Sequence, residues 1–179
     1  NDVIINSSLT NTLYKGANMN FTTASGYQYG FIDDSPLENS DIRFGKSSNY
    51  TYNSNTNSII IGKNAAPYNS GMNCVVIGSA GVGANKTTGD NCILIGGEGC
   101  GQYIGGSDNI MMGRSQIIAD YLTGNNNMCF GTSCARNMQG NANNNTAIGV
   151  NALANLSVGE FNVCIGGNAG QGIFCLLYT

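Results

Sequence analysis

The stretch NNTAIGVNALANLSVGEFNVCIGGNAG, residues 144–170, carries one phrase twice. Asn145-Thr-Ala-Ile-Gly149 returns after a short interval as Asn162-Val-Cys-Ile-Gly166. Upstream of it the phrase recurs as NMCFG (127–131), NIMMG (109–113), CILIG (92–96), CVVIG (74–78), SIIIG (58–62) and DIRFG (41–45). The closing glycines are 45, 62, 78, 96, 113, 131, 149 and 166, spaced by 17, 16, 18, 17, 18, 18 and 17 residues. Eight units at a nearly constant period mark a stacked repeat, in which each unit buries its apolar side chains only against its neighbours.

The columns of this alignment give the element type. One residue before each glycine stand Phe44, Ile61, Ile77, Ile95, Met112, Phe130, Ile148 and Ile165. Three before stand Ile42, Ile59, Val75, Ile93, Ile110, Met128, Thr146 and Val163. Positions two apart share one face of a strand, and these two columns are assigned to the interior, with the Phe44-to-Ile165 column as the structural core. The glycine closes the strand, where positive φ and close packing at a corner are needed. Three residues later most units carry a small side chain (Ser48, Ala65, Gly81, Gly99, Cys134, Ala152, Ala169; Gln116 is the exception), which indicates a second tight corner. A unit of about 17 residues is too short for a strand and a helix; it fits one coil of a parallel β-solenoid. In the later units Asn109, Asn127, Asn145 and Asn162 stand four residues before the glycine. Stacked at about 4.8 Å per coil, their side chains are expected to form an amide ladder.

The position two before the glycine holds Arg43, Ile60, Val76, Leu94, Met111, Cys129, Ala147 and Cys164, apolar in all but the first unit. A strand with one face in water alternates apolar and polar residues; this one is apolar on both faces and needs cover on both. Another subunit is the simplest cover, so Ile60, Val76, Leu94 and Met111 are the expected subunit interface, and threefold symmetry would gather three such faces about one axis.

At this point the sequence resembles known repeats. NTAIGVNALANLSVGEFNVCIGGNAG is similar to the Asn-x-Ala-Ile-Gly-x-x-Ala repeats of trimeric autotransporter adhesin heads of the YadA-like kind, and more similar to the repeats of bacteriophage and other viral tail-fibre proteins. The close match covers about residues 141–170, and a looser one reaches back to Ser58. The resemblance implies rigid, usually trimeric β-structure that carries host or surface attachment. It supplies no catalytic residues. The coils here are longer than the adhesin-head unit, and cysteine is more frequent than in exported heads.

Composition narrows the function. Of 179 residues, 9% are charged and the net charge is −3, without a Lys/Arg cluster, so nucleic acid is not an expected partner. No apolar run approaches the roughly 20 residues of a membrane helix. Asn (28 residues) and Gly (26) dominate, yet the 41% of hydrophobic residues fall in short regular groups that a disordered Asn-rich tract would not show. Histidine is absent, which removes the commonest general base and metal ligand. The hexapeptide β-helix acyltransferases, whose coils are of similar length, depend on a histidine. The acidic groups Asp33, Asp34, Glu38 and Asp41 lie in a polar N-terminal stretch. The runs GSAGVGANK (78–86) and GGEGCG (96–101) lack the Gly-Lys-Ser/Thr ending of a phosphate loop and read as corners. Seven cysteines stand at 74, 92, 100, 129, 134, 164 and 175. Cys74 and Cys92 share a column in neighbouring coils, close enough for a disulfide, whereas Cys129 and Cys164 are two coils apart. Most are expected to be buried free thiols, which favours assembly in a reducing compartment. Six glycosylation sequons, at Asn6, Asn20, Asn49, Asn85, Asn144 and Asn155, are of the number that so many asparagines produce by chance.

The sequence therefore predicts an all-β, parallel β-solenoid of about eight coils over residues 41–172, preceded by a β-rich or connecting segment (1–40) and followed by an apolar strand or cap (173–179). The chain reads as a processed piece or a fragment of a longer protein. Its expected role is non-enzymatic and without cofactor: a homotrimeric fibre or spike segment of a virus or phage, on the virion surface beside other virion proteins and facing a host glycan or protein. The alternatives are a bacterial surface adhesin head and a glycan-cleaving tailspike.

Overall fold

Each glycine-ended phrase forms a short strand, and the strands stack in register. The computed structural model describes residues 19–22, 28–32, 42–44, 57–66, 70–79, 82, 86–114, 121–172 and 175–176. Its strands are β1 (Met19–Thr22), β2 (Gln28–Ile32), β3 (Ile42–Phe44), β4 (Ile59–Ile61), β5 (Val75–Gly78), β6 (Lys86–Thr87), β7 (Ile93–Gly96), β8 (Tyr103–Ile104), β9 (Ile110–Gly113), β10 (Met128–Phe130), β11 (Thr146–Ile148), β12 (Val158–Gly159), β13 (Val163–Ile165) and β14 (Cys175–Leu176). No helix occurs among the described residues.

The principal sheet has ten strands in the order β1-β2-β3-β4-β5-β7-β9-β10-β11-β13. From β3 onward every pairing is parallel and joins equivalent columns: Ile60 pairs with Val76, Val76 with Leu94, Leu94 with Met111, Met111 with Cys129, Cys129 with Ala147 and Ala147 with Cys164. The antiparallel pair β1 and β2 joins the β3 edge. A second wall is made by β6 with β8, by bridges from Ile104 to Leu122 and Leu122 to Gly140, and by β12 with β14. The protein is thus an all-β parallel solenoid. About five turns are complete, fewer than the eight predicted from the glycines. The difference arises because a turn needs both walls, and the residues that would close the earliest units lie outside those described.

The faces of the principal strands are the reverse of the predicted ones. Ile60, Val76, Leu94 and Met111, expected at a subunit interface, are each 0% exposed inside their own coil, as are Cys129 and Ala147. The expected core column faces outward: Phe44, Ile61 and Met112 are each 37% exposed and Ile165 67%, while Ile77, Ile95, Phe130 and Ile148 are half-buried. Both faces are apolar, so hydrophobicity could not choose between them. Hydrogen bonding chose. The even positions, counting back from the glycine, hold the asparagines that bond from coil to coil, and positions two apart share a face. Only in the last three units (Cys129, Ala147, Cys164) is the inward residue clearly smaller than its outward neighbour; Ile60/Ile61, Leu94/Ile95 and Met111/Met112 are equal in size.

The interior is matched across its walls. Where the strand supplies Leu94 or Met111, the opposite wall supplies Ile104 or Leu122; where it supplies only Ala147, Leu153 and Leu156 fill the coil. Small buried residues (Ala65, Gly99, Cys134, Ala152) occupy the corner three residues past the glycine, as expected.

Glycine at the end of the strand is required twice over. At Gly62, Gly78, Gly131 and Gly149, φ lies between 129° and 144°, and a Cβ would collide with the backbone of the next coil's glycine. A further column, Gly71, Gly89, Gly106 and Gly124, is pinned by close approach alone, because a Cβ there would meet the carbonyl of the next coil.

Candidate functional site

Two features of the solenoid carry chemistry: a polar column within it and an apolar stripe outside it. The column lies four residues before the glycines. Asn127 Nδ2 donates to Asn109 Oδ1 at 3.0 Å, Asn145 Nδ2 to Asn127 Oδ1 at 3.0 Å, and Asn162 Nδ2 to Asn145 Oδ1 at 2.8 Å. Each acceptor also takes the backbone N–H of the next asparagine, at 3.0–3.1 Å. The second Nδ2 hydrogen goes to the neighbouring wall: Asn109 to Gly124 O, Asn127 to Ala142 O and Asn145 to Gly159 O, at 2.7–2.9 Å. The predicted ladder is therefore present and fully interior, with all four asparagines buried. Ser58 and the thiols continue the column. Ser58 Oγ accepts the Cys74 N–H at 3.0 Å, and the Cys74 and Cys92 thiols donate to Gly89 O and Gly106 O at 3.4 Å.

The cysteines behave as small interior groups. Cys74, Cys92, Cys100, Cys129 and Cys134 are buried thiols outside any disulfide, and Cys164 is a half-buried one. Cys74 and Cys92 occupy neighbouring rungs as expected but are not joined. Cys129 and Cys164 are separated by the rung of Ala147, as the spacing predicts. Burial pushes the Cys100 thiol up to about 12. The Cys92 and Cys129 thiols are raised by their side-chain hydrogen bonds to Cys74 and Cys134, and further by burial. Protonated, these groups are donors and packing atoms rather than nucleophiles. Among the described residues no group of three or more Cys, Asp or Glu side chains is arranged to hold a metal ion.

The outer stripe consists of the odd columns. It runs from Ile42 and Phe44, through Ile59, Ile61 and the half-buried pairs Val75/Ile77 and Ile93/Ile95, to Val163 and Ile165. Eight rungs at about 4.8 Å make it about 34 Å long. Flanking it, five residues before the glycine, Asn57, Asn73, Asn91, Asp108, Asn126 and Asn144 all adopt left-handed φ of 45–59°. Asn and Asp tolerate this conformation best among residues with a side chain, so the column was legible in the sequence but unread. Its last member breaks the rule: Phe161 holds φ 59° and is 63% exposed. The chain matches no family model, no curated protein and no solved structure.

Proposed function

We propose that this chain is a structural, non-enzymatic rod segment of a viral or phage fibre, assembled as a homotrimer and serving attachment to a host surface glycan or protein. The observation that carries the reading is the outward apolar stripe. Fifteen apolar side chains in the two odd columns lie on one side of the stack, with Ile59, Ile61 and Met112 more than a third exposed. A continuous stripe of that length is more than a soluble single chain ordinarily leaves open. Three copies turned inward about a common axis would cover it and yield a fibre. The interior cysteines, none of the described ones in a disulfide, support folding in a reducing compartment, which suits a fibre built inside a host cell better than an exported bacterial head. The resemblance of residues 141–170 to tail-fibre repeats points the same way.

The assembly is tested by sedimentation equilibrium on the wild type and Ile148→Asp. The wild type should have three times the chain mass. The variant, which sets three carboxylates beside one axis, should fall to monomer mass near neutral pH while retaining its β-sheet spectrum. A wild type of monomer mass at micromolar concentration removes the trimer. The biological role is tested by antibody labelling of the parent particle in electron micrographs. Label on projecting fibres is expected; label on a bacterial cell surface instead identifies an adhesin head.

A further inference from the structure

The outward stripe has two unlike flanks. The chain enters each principal strand past the left-handed column five residues before the glycine, and leaves it through the residue after the glycine. The entry column runs Asn57, Asn73, Asn91, Asp108, Asn126 and Asn144. The exit column runs Lys63, Ser79, Gly97, Arg114, Thr132 and Val150. Among these, Asp108 is the one anion of the entry column, and the cation on its own coil is Arg114. Lys63, the other cation of the exit column, lies three coils away, about 14 Å along the stack. The neighbouring position on the entry side adds a second carboxylate, Asp90, so entry leans acidic and exit leans basic.

Asp108 and Arg114 cannot meet within one chain. The strand β9 lies between them, and six residues of nearly extended chain hold them roughly 15–20 Å apart. Each is steadied by the preceding coil on its own flank. Asp108 Oδ1 accepts from Asn91 Nδ2 at 3.2 Å, and Arg114 Nη2 donates to Glu98 Oε2 at 2.9 Å. Both residues are exposed, the Arg114 side chain by 64%. Neither contact saturates its group, because a guanidinium carries five N–H donors and a carboxylate about four acceptor sites.

We propose that Arg114 of each chain pairs with Asp108 of the next copy around the threefold axis, and that this ion pair fixes the coil register between subunits. The inference rests on the trimer proposed above and names the residues that align it. Rotation about an axis parallel to the stack keeps every coil at its own height. Strands whose outer faces turn toward that axis run around it in one sense, so the exit flank of one chain meets the entry flank of the next on the same coil. The contact is heterologous and closes after three steps. The apolar stripe cannot set this alignment, because Ile or Val recurs at coil after coil and a slip by one coil still buries it. A slip would, however, place Arg114 beside Asn91 or Asn126 and Asp108 beside Gly97 or Thr132. Charge complementarity therefore selects the level arrangement over a staggered one, which would not close into a ring.

The test is a double-mutant cycle on the full chain, read as the trimer association constant by sedimentation equilibrium. Asp108→Asn installs the ordinary residue of its column and keeps the left-handed backbone. Arg114→Gln removes the cation, and with it the contact to Glu98. Each single variant should lower the association constant by about tenfold, since three ion pairs are lost at once. The double variant should fall no further than the weaker single one, because the second substitution removes a group whose partner is already gone. The 15–20 Å between the two positions inside one chain leaves no other source for that non-additivity. Effects that simply add, or an unchanged association constant in either single variant, overturn the ion pair and leave the trimer standing. A wild type of monomer mass at micromolar concentration removes the trimer and this pair together.

Discussion

At the scale of the residue, this protein is decided by parity. A side chain at an even position before the glycine enters a narrow interior, and its neighbour one residue away faces outward. Leu94 is 0% exposed and Ile95 is half-buried on the outer face, although their hydrophobicity is nearly the same. Leu94→Asp should therefore bury an unpaired carboxylate and lower the unfolding free energy by roughly 3–5 kcal/mol. Ile95→Asp, on the half-buried outer face, should cost less than about 1 kcal/mol within a single chain. Urea titrations of the two variants check this, and equal losses would mean that the faces are misassigned. The ladder gives a second residue-level expectation. Asn127→Leu keeps the volume but strips a donor from Asn109 Oδ1 and Ala142 O, and an acceptor from the Asn145 N–H and Nδ2. Asn109 Oδ1 keeps the backbone N–H of residue 127 and Asn145 Nδ2 keeps Gly159 O, but the buried Asn145 N–H loses its acceptor and the ladder is cut, which should cost about 3 kcal/mol, read as a lowered denaturation midpoint with an unchanged urea dependence.

At the scale of the element, the joint between strand and corner governs how closely coils approach. The glycine column lets the backbone of one coil sit where a Cβ of the coil before it would be. Gly78→Ala meets both obstacles, φ 144° and the Gly96 carbonyl, and should destabilise by about 3 kcal/mol. Gly167→Ala, one residue past the last such glycine, has no atom within 4 Å of its Cβ and should be neutral to within about 0.5 kcal/mol. Thermal melts of the two alanine variants separate a local requirement from a general dislike of alanine in turns.

At the scale of the whole molecule, the interior thiols tie stability to pH. Cys100 has its pKa pushed up to about 12 by burial, against about 8.5 in an unfolded chain. Between those values the unfolded chain has lost the proton that the native chain keeps, so the native state binds more protons. Stability then falls as pH rises, by up to about 1.4 kcal/mol per pH unit for each such thiol. Cys92 and Cys129 are raised in the same direction, but each shares its hydrogen bond with a thiol, Cys74 or Cys134, that the same bond lowers, so within each pair the two contributions oppose. Below about pH 8.5 Cys100 should contribute no pH dependence. Urea midpoints of the wild type and Cys100→Ala from pH 8 to 11 check this: the variant should start lower, because a small cavity replaces the sulfur, but its midpoint should fall less steeply.

The period of about 17 residues, the glycine at each strand end, the small corner residues and the stacking of Asn109, Asn127, Asn145 and Asn162 could all be read from the sequence. Each repeats in every coil, or nearly so, and a stack needs only neighbouring copies to agree. What the sequence left open was which face of the strand is inside. Ile60 and Ile61 are the same residue one position apart, and no hydrophobic scale separates them. The solenoid decides between them because the asparagine amides must lie inside, where they bond one coil to the next, and the even positions of the strand share their side.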